Sequence, residues 1–330
     1  MMSIRMWRIA LDRTPRLTPQ QWQQLDPVTR WLIACRAPEL SVTLAAAALA
    51  GVLSLRAESW HWHLWLVTAA GLITAHATGN LINAWTAFRR GIGHHADSHY
   101  PCAGYVLAEG CITPEDFWRY LGCTAAVTLA AGAWLMLKRV EPMPYLLLAG
   151  ALVTLLYRWP LKYAALGEPA VLLSCGPLMV GGTFYAATGT WSWTVALLST
   201  VFACGPTTAL LSMHIDRLTV DRAAGRTTLA VVLGENHART WAMALLLFQY
   251  LACAVLVFAG STGWPLLLTL ITLSTLRETF AAFGAPKPQT PPADYPQQFW
   301  PLWFSIYALR HTRRFTALFL VGLLIETLMR

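Results

Sequence analysis

Charge is scarce in this chain. Only 12% of its 330 residues are charged, where a soluble globular domain carries about 25%. With 56% hydrophobic residues and a mean hydropathy of +0.48, that scarcity excludes an ordinary soluble domain. The seven cysteines, at positions 35, 102, 111, 123, 175, 204 and 253, form no C-x-x-C pair. Neither a disulfide framework nor a thiolate metal site is suggested. The first 30 residues hold five arginines and no apolar core, so no cleavable signal peptide is expected. Acidic residues are outnumbered by basic ones, 16 to 24. In a chain of this composition the excess reflects membrane topology, and no nucleic-acid partner is expected.

What is present is a series of apolar windows, each roughly 17–23 residues long and free of charge, the length that crosses a bilayer as a helix. The fold class is therefore all-α, a polytopic membrane protein. Residues 1–37 read as a basic, amphipathic segment with interleaved Trp7, Trp22 and Trp31, lying at the membrane surface. Residues 38–330 read as the membrane domain, with nine spans near 38–55, 62–83, 117–137, 143–158, 168–188, 192–214, 240–260, 264–282 and 315–329. With the N-terminus inside, the outer segments hold only Arg56, Lys138, Arg139 and Arg330, leaving 20 of the 24 lysines and arginines inside. The positive-inside rule thus supports nine spans, a cytoplasmic N-terminus and a C-terminus on the outer side of a bacterial-type cell membrane.

Inner connections are long, at 84–116, 215–239 and 283–314, and outer ones are short. Function is expected at the cytoplasmic mouth of the bundle, where the ionisable residues gather. Residues 283–300 form a proline-rich linker, and the aromatic, basic stretch after it reads as an interfacial helix preceding the last span.

Three constellations could carry chemistry. The first begins with Asn80 and Asn83, three apart on one helix face with Ala84 and Ala87. Trp85 follows them, and the next loop holds His94, His95, Asp97 and His99, a mix of imidazole and carboxylate that suits a metal or phosphate. A solvated histidine-rich loop is the ordinary alternative. The second constellation runs from Tyr157 to Glu168, where Arg158 and Lys162 could hold an anionic head group. Ordinary positive-inside residues would look the same. The third is H-I-D-R-L-T-V-D-R-A-A-G-R-T-T-L-A, His214 to Ala230. Asp216 and Asp221 sit where an apolar helix meets the interface, and carboxylates there need partners. Asp221 can pair with Arg217 four residues earlier, and Gly225 reads as the turn that ends the helix before Arg226.

At these residues the chain resembles the UbiA superfamily of intramembrane prenyltransferases, most of all its 1,4-dihydroxy-2-naphthoate, or menaquinone-pathway, branch. W-L-I-A-C-R-A-P (Trp31–Pro38) is similar to the entry into the first span. A-T-G-N-L-I-N-A-W-T-A matches a family segment reading G-T-N-L-x-N-D-Y-x-D. G-C-I-T-P-E-D (Gly110–Asp116) is similar to G-x-I-T-P-x-E, and P-L-K-Y-A-A-L-G-E to P-P-x-(R/K)-L-x-Y-x-G-L-G-E. D-R-A-A-G-R-T-T-L-A-V-V-L-G (Asp221–Gly234) is close to D-R-A-A-G-K-R-T-L-A-V-R-L-G.

The resemblance implies a ring of helices round a central cavity that opens laterally to lipid. It implies two Asp-rich motifs holding Mg²⁺, which clamps a prenyl diphosphate while its allylic carbon is transferred to a small aromatic acceptor. The implied catalytic residues are Asp216, Asp221 and Lys162. Those implied to bind substrate are Asn80, Asn83, Trp85, Tyr157, Arg158, Glu168, His214 and Arg226. The candidate metal ligands are Asp216 and Asp221, beside which His94, His95, Asp97 or His99 of this chain would substitute for carboxylates it lacks. The chain departs from the pattern at the chemistry. Ala84 and Ala87 stand where the first motif has two aspartates. Asp221 matches the second aspartate of the second motif, Arg217 falls at the first, and His214 replaces an asparagine. Lys162 and Glu168 are retained. Three functions follow: a prenyltransferase with an altered metal and diphosphate site, an enzyme of the same fold with other chemistry such as proton-initiated cyclisation or transfer of another lipid-linked group, or a non-catalytic quinone- or lipid-binding protein.

Overall fold

The computed structural model describes residues 2–91, 104–157, 161–293, 295–296 and 299–329. Among them there are helices and no strands. The chain divides into two compact units, Met1–Leu44 with Leu66–Val140, and Ala45–Trp65 with Glu141–Arg330.

The first unit begins with short helices whose starts are written locally. Helix α1 covers Met2–Asp12. Helix α2 (Pro19–Gln23) is opened by Thr18, which makes a reciprocal capping box with Gln21, and has Pro19 in its first turn. Helix α3 (Pro27–Ala34) is capped by Asp26, whose carboxylate accepts from the Thr29 N–H at 3.0 Å. Helix α4 (Ala37–Ser54) passes from the first unit into the second, and α5 (Trp62–Arg89) passes back. A single turn, α6 (Tyr105–Ala108), precedes α7 (Pro114–Lys138), where Thr113 is the cap and Glu115 and Asp116 sit in the first turn.

The core of this unit gathers Ala10, Trp22, Ile33, Leu81, Ala84, Tyr105, Phe117 and Leu121. The N-terminal segment therefore contributes buried side chains to the first unit as well as exposed ones such as Ile4 and Leu11. The Trp31 indole donates to Thr124 Oγ1 at 2.9 Å, fixing α3 against α7.

The second unit is built on α11 (Trp193–Asp216), buried along most of its length. Before it come α8 (Met143–Leu156), a 3-10 turn at Leu161–Ala164, and α9 (Gly167–Leu173). A wide-turned segment, Ser174–Gly181, leads into α10 (Gly182–Thr188). That segment leaves helical geometry at Gly176, just before Pro177, which supplies no N–H to the ladder. After α11 come α12 (Leu218–Ala223), α13 (Leu229–Leu233) and α14 (Glu235–Phe258). A 3-10 stretch, Trp264–Thr272, runs into α15 (Leu273–Gly284), and the last helix is α16 (Trp303–Met329). At Gly205 a Cβ would stand 2.7 Å from the Thr312 methyl, so α11 and α16 meet there only because the residue is glycine.

Among the described residues, six helical stretches are long and apolar enough to cross a membrane: α4, α7, Gly167–Thr188, α11, α14 and Trp264–Gly284. The other three expected spans correspond to α5, α8 and α16. Helix α8 has 14 residues, roughly 21 Å at 1.5 Å per residue, against a hydrocarbon core of about 30 Å. Helices α5 and α16 are long enough, at 28 and 27 residues, but carry His76, Asn80 and Asn83, or Ser305, His311, Arg313 and Arg314, which lower their hydropathy. The expected interfacial helix and the last span also prove to be one helix, α16, since no proline or glycine interrupts Trp303–Phe315.

The start of α16 is held by a carboxylate from another helix. Asp216, the last residue of α11, accepts from the backbone N–H groups of Trp303 at 2.9 Å, Phe304 at 3.1 Å and Ser305 at 2.9 Å. It also accepts from the Ser305 hydroxyl at 2.6 Å and the Lys287 ammonium at 3.3 Å. It thereby satisfies the orphan donors of a helix start and opposes the positive end of its dipole. Asp216→Ala is expected to cost about 2–4 kcal/mol, because it leaves buried N–H groups unmatched. Thermal unfolding in detergent or nanodiscs measures this, and an unchanged midpoint would contradict it.

Candidate functional site

The residues singled out from the sequence fall into two groups, one in each unit. In the second unit, α11 ends at Asp216 and the chain leaves helical geometry at Arg217, with φ −104° and ψ 10°. It restarts as α12 and closes with a two-bond turn. The Gly225 N–H donates to the Arg222 carbonyl at 3.1 Å and the Arg226 N–H to the Asp221 carbonyl at 2.9 Å, with Gly225 at φ +65°. This is the helix ending that needs a residue at positive φ, which glycine supplies without strain. The turn carries Arg226 back over α12, and its guanidinium donates to Asp221 Oδ1 at 2.9 Å. Asp221 is 2% exposed. Its partner is thus Arg226 rather than the expected Arg217. A helical turn does join the two, with the Asp221 N–H donating to the Arg217 carbonyl at 2.8 Å, but the turn at Gly225 brings the Arg226 guanidinium onto the carboxylate instead.

The segment between α8 and α9 is tied to this turn. The Ala165 N–H donates to the Thr227 carbonyl at 3.0 Å. The second and third sequence constellations therefore meet through the backbone. Tyr157 ends α8, and its hydroxyl lies 3.9 Å from where a Cβ on Gly167 would stand. Beside Gly167, Glu168 is buried, and its Oε1 lies 2.7 Å from Nδ1 of buried His214 on α11. Glu168 Oε2 and His214 Nε2 are buried with no hydrogen-bond partner among the described residues. Arg158 lies outside the described residues, as does the side chain of Lys162, whose backbone forms part of the 3-10 turn.

Asp216, expected as a metal ligand and acid, has both carboxylate oxygens engaged at the start of α16. The break at Arg217 sends it and Asp221 to different partners.

In the first unit, Asn80 is buried and its amide donates to the Cys35 carbonyl at 2.9 Å, tying α5 to the end of α3. Burial pushes the Cys35 thiol up to about 12, which leaves it unreactive as a nucleophile. Asn83 is half-buried. Trp85 stands some 200° round the helix from Asn83 and packs against Phe88, Phe117 and Trp118, with ring centroids 5.9, 6.2 and 5.0 Å away. The structure thus gives Trp85 an aromatic cluster on α5 and α7 as its surroundings. Ala84 and Ala87 are 1% and 4% exposed. Ala84 belongs to the apolar core, and Gly104, at φ +88°, rests on its backbone so closely that a Cβ there would lie 2.5 Å from the Ala84 carbonyl oxygen. His94, His95, Asp97 and His99 lie outside the described residues. Among the described residues no three His, Cys, Asp or Glu side chains come together in a group that could hold a metal ion.

Sequence reasoning missed how Asp216 is used, because its partners are Lys287 and the residues from Trp303 to Ser305, 71 to 89 positions away. The Glu168–His214 pair was also invisible as a pair, with 46 residues between its members. The only signal was that each is ionisable in an apolar setting.

Comparison with known proteins places the chain in a context. The model of the UbiA prenyltransferase family matches residues 42–302. UbiA prenyltransferase domain-containing protein 1 of Gallus gallus is 27% identical over 268 residues, 78% of each chain. Its Drosophila melanogaster homolog is 27% identical over 74% of this chain and 68% of its own. Among solved structures, a UbiA homolog from Aeropyrum pernix K1 in its apo form superposes with a TM-score of 0.60 at 14% identity, covering 87% of this chain and 98% of that one. A UbiA homolog from Archaeoglobus fulgidus bound to DMAPP and Mg²⁺ gives 0.58 at 16% identity, over 88% and 98%.

Two substitutions test this description. Ala165 sits at φ +58°, where the family pattern has glycine, so Ala165→Gly is expected to stabilise the fold by roughly 1 kcal/mol. A lower unfolding midpoint would contradict that. Ala84→Asp is expected to destabilise by about 3–5 kcal/mol, since it buries a carboxylate without a partner. Unchanged stability together with newly acquired Mg²⁺ binding by calorimetry would mean that this helix face is wet.

Proposed function

Since the chain belongs to the UbiA prenyltransferase family, we propose that it is a membrane-embedded transferase moving an isoprenyl group from a prenyl diphosphate to a small aromatic acceptor at the cytoplasmic side, through an altered diphosphate site. The observation that carries this reading is the turn of the second unit whose sequence resembles the family's motif. There buried Asp221 fixes Arg226 by an ion pair of 2.9 Å, and the backbone bond from Ala165 to Thr227 joins that turn to the segment bearing Lys162 and Glu168.

Transfer breaks the bond between the allylic carbon and the diphosphate oxygen, and the charge that develops on the leaving group needs fixed cations. Arg226, oriented by Asp221, would supply one. Lys162 and Arg158, which belong to the segment matching the family's cationic motif, would supply others. An arginine fork is suited to phosphate oxygens and Lys162 acts as a point charge. The homolog from Archaeoglobus fulgidus binds Mg²⁺, but the described residues of this chain do not form a donor set for such an ion. No step of the reading therefore runs through a metal. A Mg²⁺ ion here would have to draw on His94, His95 and Asp97. The positive-inside count supports nine crossings, with the N-terminus cytoplasmic and the C-terminus outside.

A second reading, a non-catalytic quinone- or lipid-binding member, is favoured by one observation: the helix face that bears the asparagines carries Ala84 packed into an apolar core. Purified protein in nanodiscs with radiolabelled geranyl or farnesyl diphosphate and a dihydroxynaphthoate acceptor separates the two. Prenylated product and released diphosphate are expected, with Asp221→Ala and Arg226→Ala each lowering the rate about 10²-fold. Retention of quinone with no diphosphate released would overturn the transferase reading.

A further inference from the structure

The buried pair formed by Glu168 and His214 has a hydrogen-bonding arrangement with a direction. An ionised carboxylate only accepts hydrogen bonds, so His214 Nδ1 carries the hydrogen and donates it to Oε1 across 2.7 Å. That fixes the tautomer and leaves Nε2 with a lone pair. Both side chains are 3% exposed. Neither Nε2 nor Glu168 Oε2 has a partner among the described residues. A buried polar atom left unmatched is destabilising, and an apolar pair of similar volume would serve packing better. A structural bond alone does not account for an imidazole whose second nitrogen is left over. The position also distinguishes this chain from the pattern it resembles. Asparagine is expected there, and an amide cannot take up a proton.

We infer that His214 is the general base that removes the acceptor's hydroxyl proton, with Glu168 as its positioning residue, and that the acceptor is therefore a hydroxy-arene. This rests on the prenyl-transfer reading above. As the allylic C–O bond breaks, its electron pair leaves on the diphosphate. The acceptor ring carbon forms the new C–C bond with the electron pair that becomes available as the ring hydroxyl gives its proton to Nε2. The resulting dienone tautomerises to the prenylated arene. Glu168 stabilises the imidazolium formed in this step, as an orienting carboxylate does for a histidine base. The joining of the Glu168 segment to the Asp221–Arg226 turn puts the base and the proposed diphosphate cation in the same unit.

The test uses the full chain in nanodiscs with radiolabelled geranyl diphosphate and a dihydroxynaphthoate. His214→Asn is expected to bind geranyl diphosphate as wild type does and to lower kcat by about 10²–10⁴-fold with little change in KM. His214→Ala should regain part of its rate when imidazole is added and none when acetamide is added. Glu168→Gln should lower kcat, and Glu168→Asp should restore part of it. Wild-type kcat in His214→Asn, or no rescue of a His214→Ala protein that unfolds at the wild-type temperature, would overturn the base. A wild-type protein that transfers no prenyl group would overturn the function itself, and the base with it.

Discussion

An ionised group inside an apolar helical bundle has to find its counterpart there, and the second unit is organised by how its buried carboxylates do so. Asp216 closes the start of α16, Asp221 holds Arg226, and Glu326 meets Arg56 at 3.2 Å. Each match joins parts of the chain that apolar packing would not place uniquely, since one aliphatic surface fits another in many registers. The energetic logic is asymmetric. Such a pair adds little when complete, yet removing one member strands the other. Within this set Glu168 and His214 stand apart, because they match each other through one atom apiece and leave one atom apiece over.

The family resemblance and the structure bear on different residues. The turn after α12 and the Lys162–Glu168 segment keep the family's pattern, and the structure links them through a backbone hydrogen bond. At Ala84 and Ala87 the pattern is lost, and the described structure fills their surroundings with apolar side chains and the backbone of Gly104. Losing a carboxylate at a position that packs this closely is self-consistent. Once the charge is gone, burial is favourable, and a charge restored there would meet a dry environment. In the transferase proposed above, the burden of holding an anionic leaving group would shift toward cations, and Arg226 is one whose orientation Asp221 fixes.

Local features of the fold were legible in the sequence because their causes are local. Gly225, read as the turn that ends a helix before Arg226, does end α12, since such an ending needs only the three or four residues around it. The end of α5 was drawn too early, at 83 rather than Arg89, and the start of α16 too late, at 315 rather than Trp303, because hydropathy marks where a helix is apolar and not where it begins or stops. Asp221 was assigned to Arg217 from helical spacing alone, and the turn at Gly225 brings Arg226 onto it instead.

The sequence by itself determined that the chain is helical and apolar enough to reside in a membrane, which segments start and stop helices, and which family's motifs it carries. These follow from composition, periodicity and nearest neighbours along the chain. Only the tertiary structure decided what each buried polar group is for. Asp216 is committed to backbone donors nearly ninety residues away, Asn80 to the carbonyl of Cys35, and Glu168 to His214. The physical reason is that a buried polar group is defined by its partner, and these partners are brought near only by folding.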